Sequence, residues 1–209
     1  MAEARNLDMC AVAIAASTGG PAALERVLCD LSQIMGGHAA ADRALPPVFI
    51  TQHMSAPFND MLAAHMADVC GFDCRAAEAG EPVCRGHVYI APDGAHLGVW
   101  RTAEGIRIRL MQTPPVHFCR PAADPMLESL AKVYGANLLA VILTGMGKDG
   151  LAGCGHVAEA GGTIWAQDAH SSVVWGMPGS VAQAGLCQSV LPLESIGQAV
   201  AGWVCGGAG

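Results

Sequence analysis

The sequence MCAVAIAASTGGP, at residues 9–21, decides the fold class. Residues 9–15 form an almost continuous apolar run, which is typical of a strand buried on both faces of a parallel sheet. The small and polar residues at 17–20 predict a turn, and Pro21 suits the first turn of a following helix. A strand, a turn and a helix in this order predict one repeating unit of an α/β fold.

Apolar runs and amphipathic stretches alternate along most of the remaining chain. Strands are predicted at 48–51, 138–144 and 163–166, and helices from about residue 22 and at 58–69, 125–133, 151–160 and 195–204. Three short runs joined by turn sequences predict a small antiparallel hairpin excursion around residues 87–111. We therefore expect an α/β fold with a doubly wound, mostly parallel sheet flanked by helices, in a single domain over residues 1–209.

Composition excludes several classes of protein. The 209 residues include 52% hydrophobic and 14% charged side chains, and the formal charge is −7. This balance excludes a disordered chain, and the absence of a basic cluster argues against nucleic acid as a partner. No apolar run approaches the ~20 residues that cross a bilayer, so membrane insertion is not expected. Without a recognisable secretion signal, a cytoplasmic location is expected.

The nine cysteines indicate neither a disulfide scaffold nor a metal site. Their number is odd, and nothing in the sequence marks the chain for secretion. Cys70 and Cys74 are close in sequence but lack the second Cys/His pair that a structural zinc site usually has. We therefore expect the cysteines to act mainly as small apolar side chains.

Polar residues are predicted at the ends of three strands, and they are the parts of an acyl-transfer site. Ser17 follows the first strand, His53 the second, and Asp149 the strand at 138–144. Ligands of open parallel sheets bind at the carboxyl ends of the strands, so these side chains are expected to meet. Serine needs a base during attack, and the base needs an acid that orients it. The three residues are therefore a candidate Ser-His-Asp triad.

Each of these residues also has a structural interpretation. The turn at 17–21 suits a helix cap or a phosphate-binding loop, although the glycine fingerprint, the Walker lysine and a ribose-binding acid are missing. His53 could be a structural histidine, and Asp149 could cap the helix predicted from residue 151. Two further histidines, His96 and His117, are expected along the same edge of the sheet. The coincidence of Ser, His and Asp at three strand ends favours a site.

Eight motifs in a fixed order resemble the catalytic domain of the CheB family of chemotaxis receptor methylesterases. They are ASTGGP (16–21), QHM (52–54), GHVYIAP (86–92), PPV (114–116), LTGMGKDG (143–150), AQD (166–168), SSVV (171–174) and GMP (176–178). The resemblance implies a serine hydrolase that demethylates γ-glutamyl methyl esters in the cytoplasmic helices of chemoreceptors, releases methanol, and in many members deamidates receptor glutamines.

The resemblance also implies a role for each site residue. Ser17 would be the nucleophile, His53 the base and Asp149 the orienting acid. The backbone amides of Thr18 and Met146 would lie near the oxyanion. Neither a metal nor an organic cofactor is implied.

The sequence departs from the family pattern, and one departure leaves other functions open. The segment HFCRPA at 117–122 replaces a segment that usually resembles Asn-Gly-His-Arg-Pro-Ser. The alternatives are a catalytically quiet interaction module in a chemosensory array and an esterase with another substrate. Typical members also carry an N-terminal receiver domain, for which the sixteen residues before Ser17 give no room. We therefore expect a catalytic domain without a receiver, either as a free-standing enzyme or as a piece of a longer chain, with a separate response-regulator protein as a candidate partner.

Overall fold

Nine strands and six α-helices make up the part of the chain that this computed structural model describes, residues 10–36 and 45–206. The strands are β1 (Ala11–Ala16), β2 (Val48–Gln52), β3 (Asp73–Ala76), β4 (His87–Ile90), β5 (His96–Thr102), β6 (Gly105–Met111), β7 (Leu138–Ile142), β8 (Thr163–Gln167) and β9 (Ser189–Leu191). The helices are α1 (Gly20–Met35), α2 (Phe58–Cys70), α3 (Ala123–Tyr134), α4 (Leu151–Glu159), α5 (Met177–Gln183) and α6 (Leu193–Val204).

Seven of the strands form one parallel sheet, in the order β3-β4-β2-β1-β7-β8-β9. From β1 the chain proceeds to β2 on one side of β1, and later returns to β7 on its other side. The strand order therefore reverses between β1 and β7, and the carboxyl ends of these two strands flank the crevice where doubly wound folds bind ligands. The predicted fold class is confirmed.

Helices cover both faces of this sheet, and the side chains of β1 alternate between two cores. Val12 and Ile14 point into the core formed with α1, α2 and α6. Ala11, Ala13 and Ala15 point into the core formed with α3, α4, α5 and the hairpin of β5 and β6. The small side chains on the second face allow α3 to lie directly against β1.

The antiparallel excursion is shorter than the sequence predicts. β5 and β6 form the hairpin, whereas the first of the three predicted runs is β4, which lies between β2 and β3 in the parallel sheet. Val88, Tyr89 and Ile90 are all fully buried, as expected for a strand covered on both faces. The turn after β4 therefore connects the sheet to the hairpin and does not join two hairpin strands.

Three short elements of the structure were not predicted from the sequence. β3, β9 and α5 have four, three and seven residues, too few to show a clear hydrophobic period. β3 and β9 are the two edge strands of the sheet, so they bury less apolar surface than the central strands. No helix among the described residues is both long and apolar enough to cross a membrane.

Candidate active site

The three residues of the candidate triad lie at one edge of the sheet. Ser17 follows β1 directly, His53 follows β2 directly, and Asp149 lies in the loop between β7 and α4. All three line one cavity of about 340 Å³, at the reversal of strand order. The structure therefore brings together the three side chains that the sequence singled out, while their catalytic roles stay predictions.

A short contact joins His53 to Asp149. The imidazole Nε2 lies 2.7 Å from the carboxylate Oδ2, and the two side chains are 13% and 2% exposed. An Nε2–H that donates to the carboxylate fixes the neutral tautomer, in which Nδ1 carries the free lone pair. That nitrogen is the one with which the imidazole can accept a proton from a nucleophile.

The start of α3 holds the Asp149 carboxylate in place. The backbone N–H of Ala123 donates to Oδ2 at 2.6 Å, and that of Asp124 donates to Oδ1 at 3.0 Å. These N–H groups have no partner inside their helix, and the helix dipole favours a negative charge beside them. Burial alone would raise the pKa of Asp149, but the hydrogen bonds from His53, Ala123 and Asp124 outweigh it and lower the pKa. The carboxylate therefore stays charged beside the imidazole.

Asp124 has the reciprocal role at the start of α4. Its Oδ1 accepts hydrogen bonds from the N–H groups of Gly150 at 2.9 Å and Gly153 at 2.7 Å, and its Oδ2 lies 3.1 Å from Nε2 of His117. The alternative in which Asp149 caps α4 is therefore wrong, since Asp149 binds the start of α3 and Asp124 binds the start of α4. Burial, together with the nearby charge of Asp149, raises the pKa of Asp124 despite these hydrogen bonds.

The Gln52 side chain connects the loops of the nucleophile and the base. Its Nε2 donates to the backbone carbonyl of Ser17 at 3.0 Å and to that of His53 at 3.2 Å. The N–H of Ser17 donates to the carbonyl of Thr144 at 3.0 Å, which ties the same loop to the end of β7. Sequence reasoning missed Gln52 as a site residue, although its place at the end of a buried strand, directly before His53, was a usable signal.

Two backbone amides beside Ser17 are available to a ligand. Within residues 10–36 and 45–206, the N–H groups of Thr18 and Met146 donate to no protein acceptor, and both residues line the cavity. The Thr144 hydroxyl fixes the surrounding loops, because it donates to the carbonyl of Thr18 at 2.9 Å and accepts from the N–H of Val174 at 3.0 Å. Free amides on fixed loops suit the stabilisation of an oxyanion.

The Ser17 hydroxyl also makes no hydrogen bond with any described protein group, His53 included. Hydrogen bonds of this kind are often long or absent before a substrate binds and form in the reacting complex. The hydroxyl is therefore free to pair with the imidazole that lines the same cavity.

The segment at 117–122 forms one wall of the site. His117 and Cys119 line the cavity with Ser17, and the fully exposed Phe118 borders a second cavity of about 320 Å³ that His53 and Cys119 also line. His117 and Phe118 both have positive φ angles, 50° and 64°, which are unusual for residues other than glycine. The segment thus borders both cavities.

Unlike His117, His96 does not line the cavity. It is fully buried, with Nε2 lying 3.1 Å from the carbonyl of Pro114 and Nδ1 accepting from the N–H of Ala122 at 3.1 Å. It therefore supports the two ends of the loop that carries His117.

Three potential ligand groups, from His117, Asp124 and Asp149, lie within 4.8 Å of one another. The carboxylates already accept hydrogen bonds from four backbone N–H groups and contact two imidazoles, His53 and His117. These contacts use most of the acceptor positions of the two carboxylates. The residues therefore fit a hydrogen-bond network and not a metal centre.

Comparisons with known proteins agree on one family. Residues 12–200 match the family model described as CheB methylesterase. A protein from Azospirillum brasilense named protein-glutamate methylesterase/protein-glutamine glutaminase is 50% identical over 187 residues, which are 89% of this chain and 45% of that protein. A Rhodospirillum rubrum protein with that name and the suffix 1 is 49% identical over 185 residues, 88% of this chain and 46% of its own length.

The fold has a match among solved structures. The crystal structure of the Thermotoga maritima CheB methylesterase catalytic domain superimposes with a TM-score of 0.83 at 35% identity, covering 92% of this chain and 97% of that one. The chain spans about half the length of the curated relatives it matches. From the family model, the sequence identity and the shared fold together, we conclude that the chain belongs to the CheB methylesterase family.

Proposed function

We propose that this protein hydrolyses γ-glutamyl methyl esters on the cytoplasmic helices of chemoreceptors, and that it deamidates receptor glutamines at the same site. The observation that carries the proposal is the 2.7 Å contact between His53 and Asp149 in the cavity that Ser17 also lines. The names of the relatives from A. brasilense and R. rubrum give both activities. The setting we propose is chemotaxis signalling in the cytoplasm.

The reaction begins with attack by the Ser17 hydroxyl on the ester carbonyl carbon. Nδ1 of His53 accepts the hydroxyl proton, and the charged Asp149 stabilises the imidazolium that results. The carbonyl oxygen becomes an oxyanion, to which the N–H groups of Thr18 and Met146 donate. A single donor of this kind is typically worth about 10²–10³ in rate.

The tetrahedral intermediate then loses its leaving group. The imidazolium of His53 gives its proton to the departing methoxide, so methanol leaves and Ser17 carries the glutamyl acyl group. Water attacks the acyl-enzyme with His53 again as the base, which restores glutamate and the free serine. A glutamine side chain follows the same steps and releases ammonia.

The organisation of the chain and its partners are part of the proposal. Residues 1–209 act as one catalytic domain, with methylated chemoreceptor helices as substrate. A separate response-regulator protein is the proposed partner for control of activity. The formal charge of −7 gives no support for binding to nucleic acid.

Methanol release from a methylated receptor tests the proposed activity. We expect release by the wild type and by Ser189→Ala, which changes a serine on the edge strand β9, but not by Ser17→Ala. A phosphonate ester probe should label the wild-type chain at Ser17, since only an activated serine reacts. An inert and unlabelled wild type would favour the quiet interaction module, whereas hydrolysis of small esters without receptor turnover would favour another substrate.

A further inference from the structure

Two thiols meet between α1 and α2. Sγ of Cys29, on α1, lies 2.9 Å from Sγ of Cys70, the last residue of α2. Each thiol also approaches a carbonyl of the other helix, since Cys29 Sγ is 3.7 Å from the oxygen of Val69 and Cys70 Sγ is 3.8 Å from that of Glu25. The two sulfurs are therefore neighbours across one helix–helix contact.

One exposed pair of side chains also joins the two helices. Nε2 of His65 on α2 lies 2.9 Å from Oε2 of Glu25 on α1, one turn before Cys29. The end of α2 is closed by Gly71, whose N–H donates to the carbonyl of Ala67 at 3.2 Å. The contact between the thiols thus lies one helical turn along α1 from a second contact between the two helices.

The two thiols differ in their access to solvent. Cys29 is partly exposed and lines a surface cavity of about 370 Å³, whereas Cys70 is 3% exposed. Burial raises the pKa of the Cys70 thiol, and its contact with Cys29 raises that pKa further. A small oxidant therefore reaches Cys29 first, with Cys70 directly behind it.

We propose that Cys29 and Cys70 form a reversible disulfide when the protein meets a peroxide. Hydrogen peroxide oxidises the Cys29 thiol to a sulfenic acid and is itself reduced to water. The Cys70 sulfur then attacks the Cys29 sulfur, an S–S bond forms, and the thiol proton and the hydroxyl group leave as a second water. A small-molecule thiol reverses the step by thiol–disulfide exchange. Disulfides in reducing compartments are usually of this transient kind.

Cys74 offers a matched comparison. It lies on β3, is 7% exposed, and burial raises its pKa to about 12, with contributions from the charges of Asp73 and Cys29. It therefore shares the burial of Cys70, but its sulfur makes no close contact with that of Cys29 among the described residues. Proximity, and not burial, should decide which thiol pairs with Cys29.

Peptide mapping of the full chain tests the pairing. After peroxide treatment, alkylation of free thiols and digestion without reductant, we expect one cross-linked peptide pair that contains Cys29 and Cys70. Its mass should be lower than the sum of the two thiol peptides by two hydrogen atoms, and a reductant should separate it. Cys74→Ser should retain the cross-link, and Cys29→Ser should abolish it and leave Cys70 open to alkylation.

Thermal unfolding provides a second test of the disulfide. A disulfide between these positions closes a loop of the unfolded chain, so the oxidised wild type should unfold at a higher temperature than the reduced form. Cys29→Ser should show no such shift, and its serine replaces a partly exposed residue, so the variant is expected to fold. A wild-type map without the cross-link, or with Cys29 joined to Cys74, would overturn the proposal. Neither measurement depends on the proposed enzymatic activity.

Discussion

Three hydrogen-bond donors converge on the Asp149 side chain: the imidazole of His53 and the backbone N–H groups of Ala123 and Asp124. An asparagine amide has only one oxygen to offer them, and its NH₂ group would face a donor. In Asp149→Asn the imidazole therefore loses the carboxylate that sets its tautomer, and we expect kcat for methanol release to fall by about 10⁴-fold. Asp60→Asn, at an exposed position on α2, is the control and should leave kcat unchanged. Equal rates for the two variants would contradict the role of Asp149.

The two aspartates should respond to pH with opposite signs. The pKa of Asp149 is lowered from 3.8 by folding, so its charge adds stability that is lost as the pH falls from 3.8 through the lowered pKa. The pKa of Asp124 is raised from 3.8, so its ionisation removes stability as the pH rises from 3.8 through the raised value.

Denaturant unfolding of Asp149→Asn and Asp124→Asn across the acid range checks this pH dependence. Relative to wild type, the unfolding free energy of Asp149→Asn should fall as the pH rises through the window below 3.8. That of Asp124→Asn should rise through the window above 3.8. Trends of the same sign in the two variants would contradict the opposite pKa shifts of the two aspartates.

The sequence predicted the three triad positions but not the groups that hold them. Ser17, His53 and Asp149 could be found because each is a polar residue close to the end of a buried strand. Asp124 could not, because its backbone partners lie far from it in sequence, and Gln52 was missed although it stands directly before His53. Nothing in local periodicity shows that Asp124 binds the N–H groups of Gly150 and Gly153.

At the scale of elements, the loop after β7 packs against the nucleophile through a glycine. A Cβ atom at Gly145 would lie 2.8 Å from Cβ of Ser17 and would also overlap the sulfur of Met177. We expect Gly145→Ala to displace Ser17, to cost about 1–3 kcal/mol of unfolding free energy, and to lower kcat. Gly155→Ala on α4 is the control, since a Cβ there meets no atom within 4 Å. Thermal unfolding and methanol release measure the two effects, and an unchanged kcat in Gly145→Ala would contradict this packing.

The loop between β6 and α3 includes a residue in an unfavourable backbone conformation. Phe118 has a φ of 64°, a left-handed conformation that is unfavourable for a residue with a Cβ atom. Its side chain is fully exposed, so no burial of apolar surface offsets this cost. Phe118→Gly should raise the unfolding free energy by up to about 1 kcal/mol, after the greater freedom of glycine in the unfolded chain is subtracted. Phe118→Ala keeps the Cβ atom and should not share the gain. Denaturant titration of both variants would detect the difference, and equal stabilities would argue against strain at this position.

Sequence patterns were enough to predict the central strands of the sheet, but not to place β4. β1, β2 and β7 were predicted because each is an apolar run bounded by a turn. β4 was assigned to the hairpin because it is short and followed by a Pro-Asp-Gly turn, a pattern that hairpins and sheet-to-hairpin connections share. Only its pairing with β2 and β3 separates the two cases, and that pairing is a tertiary property.

At the scale of the whole molecule, the net charge bears on association with substrate. With 18 acidic and 11 basic side chains, the protein is expected to repel an acidic segment of the proposed receptor substrate at long range. Raising the salt concentration screens this repulsion, so kcat/KM for a receptor peptide with acidic flanks should increase, by less than about tenfold. A neutral small ester is the control and should show no trend. A fall in kcat/KM with salt for the acidic peptide would indicate that a local basic surface guides binding.

The exchange of caps between Asp124 and Asp149 constrains how such a site can change over evolutionary time. Loss of Asp149 leaves N–H groups at the start of α3 without an acceptor, and loss of Asp124 leaves N–H groups at the start of α4 without one. A descendant that abandoned catalysis would thus still need both aspartates to keep α3 and α4 joined. In an inactive relative, the serine and the histidine should therefore change before either of the two aspartates does.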